Sequence, residues 1–123
     1  MNKLLIVLTF IGSAYAASSQ LIEHHELSES LAEISGLELL NDSTLIAFND
    51  GGNKPQLYLM NLKGKITKTI TVLDAKNKDW EDIAMDEEFI YIGDIGNNSN
   101  KRSALKIYKI KIEDVLKKKE VKA

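Results

Sequence analysis

Beyond residue 33, apolar side chains come in short runs separated by turn chemistry, with little of the three-to-four-residue rhythm of a helix. Ile34 to Leu40 is the first run, ended by Asn41-Asp42-Ser43. Thr44 to Phe48 is the second, ended by Asn49-Asp50-Gly51-Gly52-Asn53, and Gln56 to Leu62 is the third, followed by a Lys63-Gly64 turn. Ile66 to Val72 is the fourth and alternates apolar residues with Thr or Lys, the pattern of an outer strand with one wet face. Connections this short join antiparallel neighbours, so the pattern predicts a four-stranded meander.

The same order then recurs. Ile34-Ser35-Gly36-Leu37-Glu38-Leu39 corresponds to Trp80-Glu81-Asp82-Ile83-Ala84-Met85, and Leu45-Ile46-Ala47 to Ile90-Tyr91-Ile92. Leu57-Tyr58-Leu59 corresponds to Ile107-Tyr108-Lys109 after a longer connection. A period of about 40–50 residues with four strands per unit marks the blades of a β-propeller. The fold class expected is therefore all-β, with antiparallel four-stranded blades of an incomplete propeller. The first blade spans about 34–73 and the second, incomplete, about 80–112, within a domain of residues 17–116. A small sandwich of two sheets is the alternative.

Four strings carry a family resemblance: Ile34-Ser35-Gly36-Leu37, Asn49-Asp50-Gly51-Gly52-Asn53, Asp79-Trp80-Glu81-Asp82-Ile83-Ala84 and Tyr91-Ile92-Gly93-Asp94-Ile95-Gly96-Asn97-Asn98. Together they resemble an uncharacterised family of exported bacterial propeller proteins, similar to the six-bladed TolB-type, gluconolactonase-type and paraoxonase-type propellers. The resemblance implies further blades, because a ring needs at least about four to close. The chain thus reads as an N-terminal portion of such a protein, or as one whose ring other chains complete. Its open sheet edges would then favour self-association or completion by further blades. The run from Leu21 to Leu27 is expected to be an outer strand.

The N-terminus adds a location. Lys3, the apolar run Leu4 to Ile11 and the small residues of Ala14-Tyr15-Ala16 make a signal peptide of residues 1–16, cut before Ala17. A spanning helix needs about 20 apolar residues, and Gly12-Ser13 interrupts this run well before that, so no membrane anchor is expected after cleavage. The destination is the periplasm or the extracellular space. With no cysteine, the chain has neither a disulfide nor a thiolate metal site. Charge is uneven. Residues 17–100 hold 15 acidic and 6 basic side chains (−9), whereas residues 101–123 hold 3 acidic and 9 basic ones (+6). The Lys117-Lys118-Lys119 run lacks interleaved aromatics and sits at a chain end, so a frayed tail over 117–123 is expected and no nucleic-acid partner.

Candidate chemistry gathers at one end. In a blade the second-to-third-strand loops and the links between blades share a rim, which brings together Asp50, Asn53, Glu81, Asp94 and Asn97. Hard oxygen donors in such a cluster suit calcium, which takes 6–8 of them. The resemblance implies the same, since gluconolactonase-type and paraoxonase-type propellers use Glu, Asn and Asp constellations. The plainer alternative is that Asp and Asn beside Gly make turns. Trp80 is the only tryptophan, a candidate for packing between blades or for stacking on a ligand. His24 and His25 are adjacent, so in a strand they face opposite sides and cannot chelate together. These features point to an exported binding or scaffold module, with a calcium-dependent hydrolase of esters, lactones or phosphoesters as the alternative and no catalytic residue assigned.

Overall fold

The computed structural model describes residues 23–123, so the signal peptide and residues 17–22 lie outside the described part. A 3-10 turn at Glu29–Leu31 precedes β1 (Ile34–Asn41), β2 (Thr44–Asn49), β3 (Gln56–Asn61) and β4 (Ile66–Val72). There follow β5 (Trp80–Met85), β6 (Phe89–Asp94), β7 (Lys106–Lys111), α1 (Ile112–Lys117) and β8 (Glu120–Val121). The fold is all-β apart from α1 and the 3-10 turn. The described residues form two sheets, a five-stranded one ordered β1-β2-β3-β4-β8 and a three-stranded one ordered β5-β6-β7.

From Ile34 onward, the predicted runs became strands for the reason their pattern suggested. In β6, Ile90, Ile92 and Asp94 are buried while Phe89, Tyr91 and Gly93 are half-exposed, a period of two across one sheet. Consecutive strands pair antiparallel throughout β1 to β4 and β5 to β7. Register shifts in β1 near Gly36 and in β5 between Trp80 and Asp82 fall at equivalent places in the two sheets.

One apolar core lies between the sheets. Ile46, Phe48, Leu57, Leu59, Ile70 and Val72 come from the first, and Trp80, Ile83, Ile90, Ile92 and Ile110 from the second. One joint between the sheets is aromatic. Trp80 meets Phe48 edge to face at 5.3 Å and lies 5.8 Å from Tyr108. Ser35 Oγ donates to the Trp80 carbonyl at 2.7 Å and ties β1 to β5.

Two expectations are corrected at the chain ends. Residues 23–27 form no strand; the segment leads into the 3-10 turn, where Leu31 is buried against Ala47 and Met60 on the first sheet's other face. An apolar side chain placed over that face removes more surface from water than a strand on a wet edge would. The basic tail, expected to fray, docks instead. Glu120 and Val121 pair parallel with Thr71 and Val72, and Val115 and Val121 are buried in the core between the sheets. Lys68 Nζ donates to the carbonyls of Val115 and Leu116 at 2.8 and 2.9 Å, capping the end of α1. The lysines stay in water while two valines anchor the segment. Among the described residues no helix is long and apolar enough to cross a membrane.

Candidate functional site

Antiparallel topology puts the β2–β3 loop (50–55), the β4–β5 link (73–79) and the β6–β7 loop (95–105) at one end of the molecule. Strand registers fix this, with Ile34 opposite Asn49, Gln56 opposite Thr71, and Asp94 opposite both Trp80 and Lys106. The loops are stitched together by their own polar groups. Gly52 N donates to the Asn77 carbonyl, and Gly96 N donates to the Asp79 carbonyl. Asn77 Nδ2 donates to the carbonyls of Asn49 and Asp50 at 2.7 and 2.9 Å, while its Oδ1 accepts from Trp80 N. A buried amide that satisfies three backbone groups belonging to both sheets is a rigid base for a site.

On that base stand three carboxylates. Asp50, Asp79 and Glu81 each bring an oxygen within 4.8 Å of the others. Asp50 and Glu81 are exposed and Asp79 is half-buried. Asp79 reaches the cluster through a slot between two glycines. A Cβ on Gly51 would stand 2.9 Å from Asp79 Oδ1, and one on Gly96 would stand 2.1 Å from its Cγ. The glycines at these two places serve close approach rather than an unusual backbone angle; the left-handed residue of the loop is Gly52, at φ 87°.

The sequence-predicted donors divide. Asp50 and Glu81 come together, joined by Asp79, which was not among the predicted ligands. Asp94 is fully buried, and its Oδ1 accepts from Asp79 N and from the Arg102 guanidinium, both at 2.9 Å. Arg102 also donates to the carbonyls of Gly96 and Asp94, and Asn97 Oδ1 accepts from Arg102 N at 2.9 Å. Asp94 and Asn97 therefore fold the β6–β7 loop around an arginine. Asn53 Nδ2 donates to Glu33 Oε2 at 2.7 Å and to the Asp50 carbonyl, which places it beside the carboxylates as a brace.

Trp80 has no exposed surface, so stacking on a ligand does not fit it, and its indole N–H has no acceptor among the described residues. His25 lies on the N-terminal segment, 2.8 Å from Glu23. Among the described residues the buried oxygen Asp94 Oδ2 also has no hydrogen-bond partner. A hydrogen bond from Tyr91, followed by backbone donors, holds Asp86 below the usual carboxylate range, and the same bond raises Tyr91. Asp86 starts the β5–β6 turn, at the opposite end of the strands.

No family model, curated protein or solved structure matches the chain. The site therefore rests on its own chemistry. Three clustered carboxylates repel one another and are most stable with a cation between them. Oxygen-only donors suit a hard ion, and carboxylates that can bind through one oxygen or two suit calcium's loose geometry better than magnesium's strict octahedron.

Proposed function

We propose that the chain is an exported, propeller-type binding module whose loop end holds a hard divalent cation and presents it to a ligand. The supporting observation is the meeting of Asp50, Asp79 and Glu81 from the β2–β3 loop, the inter-sheet link and the start of β5. A cation there would join the two sheets at their seam, and the exposure of Asp50 and Glu81 leaves one side of it open to a partner. The propeller reading is supported by faces as well as by sequence. Leu57 and Ile46 face the second sheet, and their counterparts Ile107 and Tyr91 lie on the second sheet's outer side. The two sheets thus repeat one another with the same side forward.

Calcium titration tests the rim. A ligand that binds only the folded state stabilises it by RT ln(1 + [L]/Kd), about 2.7 kcal/mol at 100 times Kd, or several degrees of Tm in a domain this size. Glu81→Gln and Asp79→Asn should each remove most of that shift while leaving the metal-free Tm close to wild type for the exposed Glu81. An unchanged Tm at millimolar calcium would overturn the cation reading.

The hydrolase alternative draws on the same cluster, because a bound divalent cation supplies Lewis acidity toward an ester or phosphoester oxygen. Calcium-dependent release of a chromogenic ester or lactone, lost in Glu81→Gln, would select it over simple binding. Export has its own test. N-terminal sequencing of secreted material should begin at Ala17, and retention of residues 1–16 would refute the cleavage.

A further inference from the structure

A second side-chain cluster lies beside the carboxylate rim and carries the opposite charge. Lys78, Lys101, Arg102, Ser103 and Ala104 line an open cleft of 310 Å³, and no acidic side chain is among them. Lys78 lies in the β4–β5 link next to Asp79, and the other four belong to the β6–β7 loop. The two clusters share a wall. Gly96, against which the Asp79 carboxylate packs, also accepts from the Arg102 guanidinium at 2.7 Å through its carbonyl.

The sequence shapes this cleft through its backbone. Asn100 adopts a left-handed conformation at φ 53°, and its N–H donates to the Asn97 carbonyl at 2.8 Å, which reverses the chain. Asn97 Oδ1 then accepts from Arg102 N and closes the turn. The Arg102 guanidinium points inward, to Asp94 Oδ1 and to the carbonyls of Gly96 and Asp94, so its charge is already matched. Lys78 and Lys101 are exposed and form no salt bridge among the described residues. Across the cleft, the Lys78 backbone packs against the β2–β3 loop, where a Cβ on Gly51 would stand 2.5 Å from the Lys78 carbonyl oxygen. Two unmatched ammonium groups and the Ser103 hydroxyl are thus mounted on braced backbone around one cleft.

That donor set selects a ligand. Planar, bidentate recognition of a carboxylate is the task of an arginine fork, and the fork in this cleft is engaged. Ammonium groups act as point charges, and with a hydroxyl they suit the several oxygens of a tetrahedral phosphate. The bare rim would repel a phosphoryl group, whereas a divalent cation held there would attract it. We infer that the cleft takes the phosphoryl group of a soluble phosphate monoester, turned so that the rim cation faces the same group. The inference rests on the cation reading of Asp50, Asp79 and Glu81, and it names the ligand that reading leaves open. An anionic membrane fits less well, because the same end of the molecule carries three carboxylates.

Phenyl phosphate is the probe, with phthalate as a carboxylate of equal charge. In calcium, calorimetric titration should give phenyl phosphate a Kd about tenfold below that of phthalate, and about tenfold below its own value in calcium-free protein. By linkage, phenyl phosphate should tighten calcium by the same factor. The double variant K78S/K101S, both positions being exposed, should bind phenyl phosphate about tenfold more weakly. Its calcium-induced rise in Tm should persist, which shows a folded chain with an intact rim. K101S alone should give part of the loss and keeps the test decisive if the double variant does not fold. No calcium-induced rise in the wild-type protein overturns the cation reading and this inference with it. A rise without phenyl phosphate binding, equal binding of phthalate, or unchanged affinity in the folded lysine variants overturns this inference alone. It is also overturned if vesicles containing phosphatidic acid sediment the protein while phenyl phosphate does not bind, since the occupant is then a lipid headgroup.

Discussion

Replacing Trp80 with alanine is expected to leave the protein without a cooperative unfolding transition near physiological temperature. The indole is fully buried between the two sheets, edge-on to Phe48 and tilted over Tyr108. Truncating a buried tryptophan to alanine costs about 3–5 kcal/mol, against a total of about 5–15 for a domain of this size. Local collapse offers little relief. Phe48 already lies hard against Gly36, where even a Cβ would come 2.3 Å from the ring. The phenyl cannot follow the lost indole without leaving that seat, so a cavity stays between the sheets. Trp80→Phe should cost less, because it keeps most of the ring and also removes the N–H that has no partner. With the only tryptophan gone, urea unfolding has to be followed by far-UV circular dichroism. A midpoint for Trp80→Ala within about 1 kcal/mol of wild type would show that the sheets are held together elsewhere.

Most of the fold was legible because it is local. β1 to β7 announce themselves through alternation, β-branched residues and turn chemistry, all within a few residues of one another. The docking of the tail was not legible, because β8 is two residues long and can carry no period. Its register comes from β4, whose edge only the folded first sheet creates. Next to three lysines, Val121 reads as a stray apolar residue; only the core it enters gives it a role. The candidate site was half legible for a related reason. Asp50 and Glu81 lie at the loop end where the sequence placed them, and Asp79 is only two residues from Glu81, but the irregular pairing between Trp80 and Asp82 hides that neighbour from a simple period-two reading. Asp94 and Asn97 could not be told from ligands. An acid or amide beside glycine looks the same whether it joins a carboxylate cluster or shapes a loop, and here the difference is Arg102. That residue lies eight positions beyond Asp94 and returns to it only through the turn it helps build.

Arg102→Met should accordingly destabilise the protein far more than its place on a surface loop suggests. The guanidinium is the ion partner of a carboxylate with no exposed surface, and it also donates to the carbonyls of Gly96 and Asp94 at 2.7 and 3.1 Å. Removing one member of a buried pair costs about 3–5 kcal/mol, chiefly because the remaining charge is stranded. Asp94 is poorly placed to absorb the loss, since its Oδ2 already lacks a partner and only Asp79 N would still serve Oδ1. Asp94→Asn removes the charge and keeps an oxygen for Asp79 N, so it should cost less than the arginine substitution. The double variant should then be more stable than the sum of the two single losses implies, by roughly 2 kcal/mol in a double-mutant cycle from urea unfolding. The consequence reaches the rim, because Gly96 forms one wall of the slot that holds Asp79. Any calcium-induced rise in Tm should shrink in Arg102→Met even where the domain remains folded. Strictly additive losses would mean that Arg102 and Asp94 act independently, and the loop would then owe its shape to Asn97 and its backbone bonds instead.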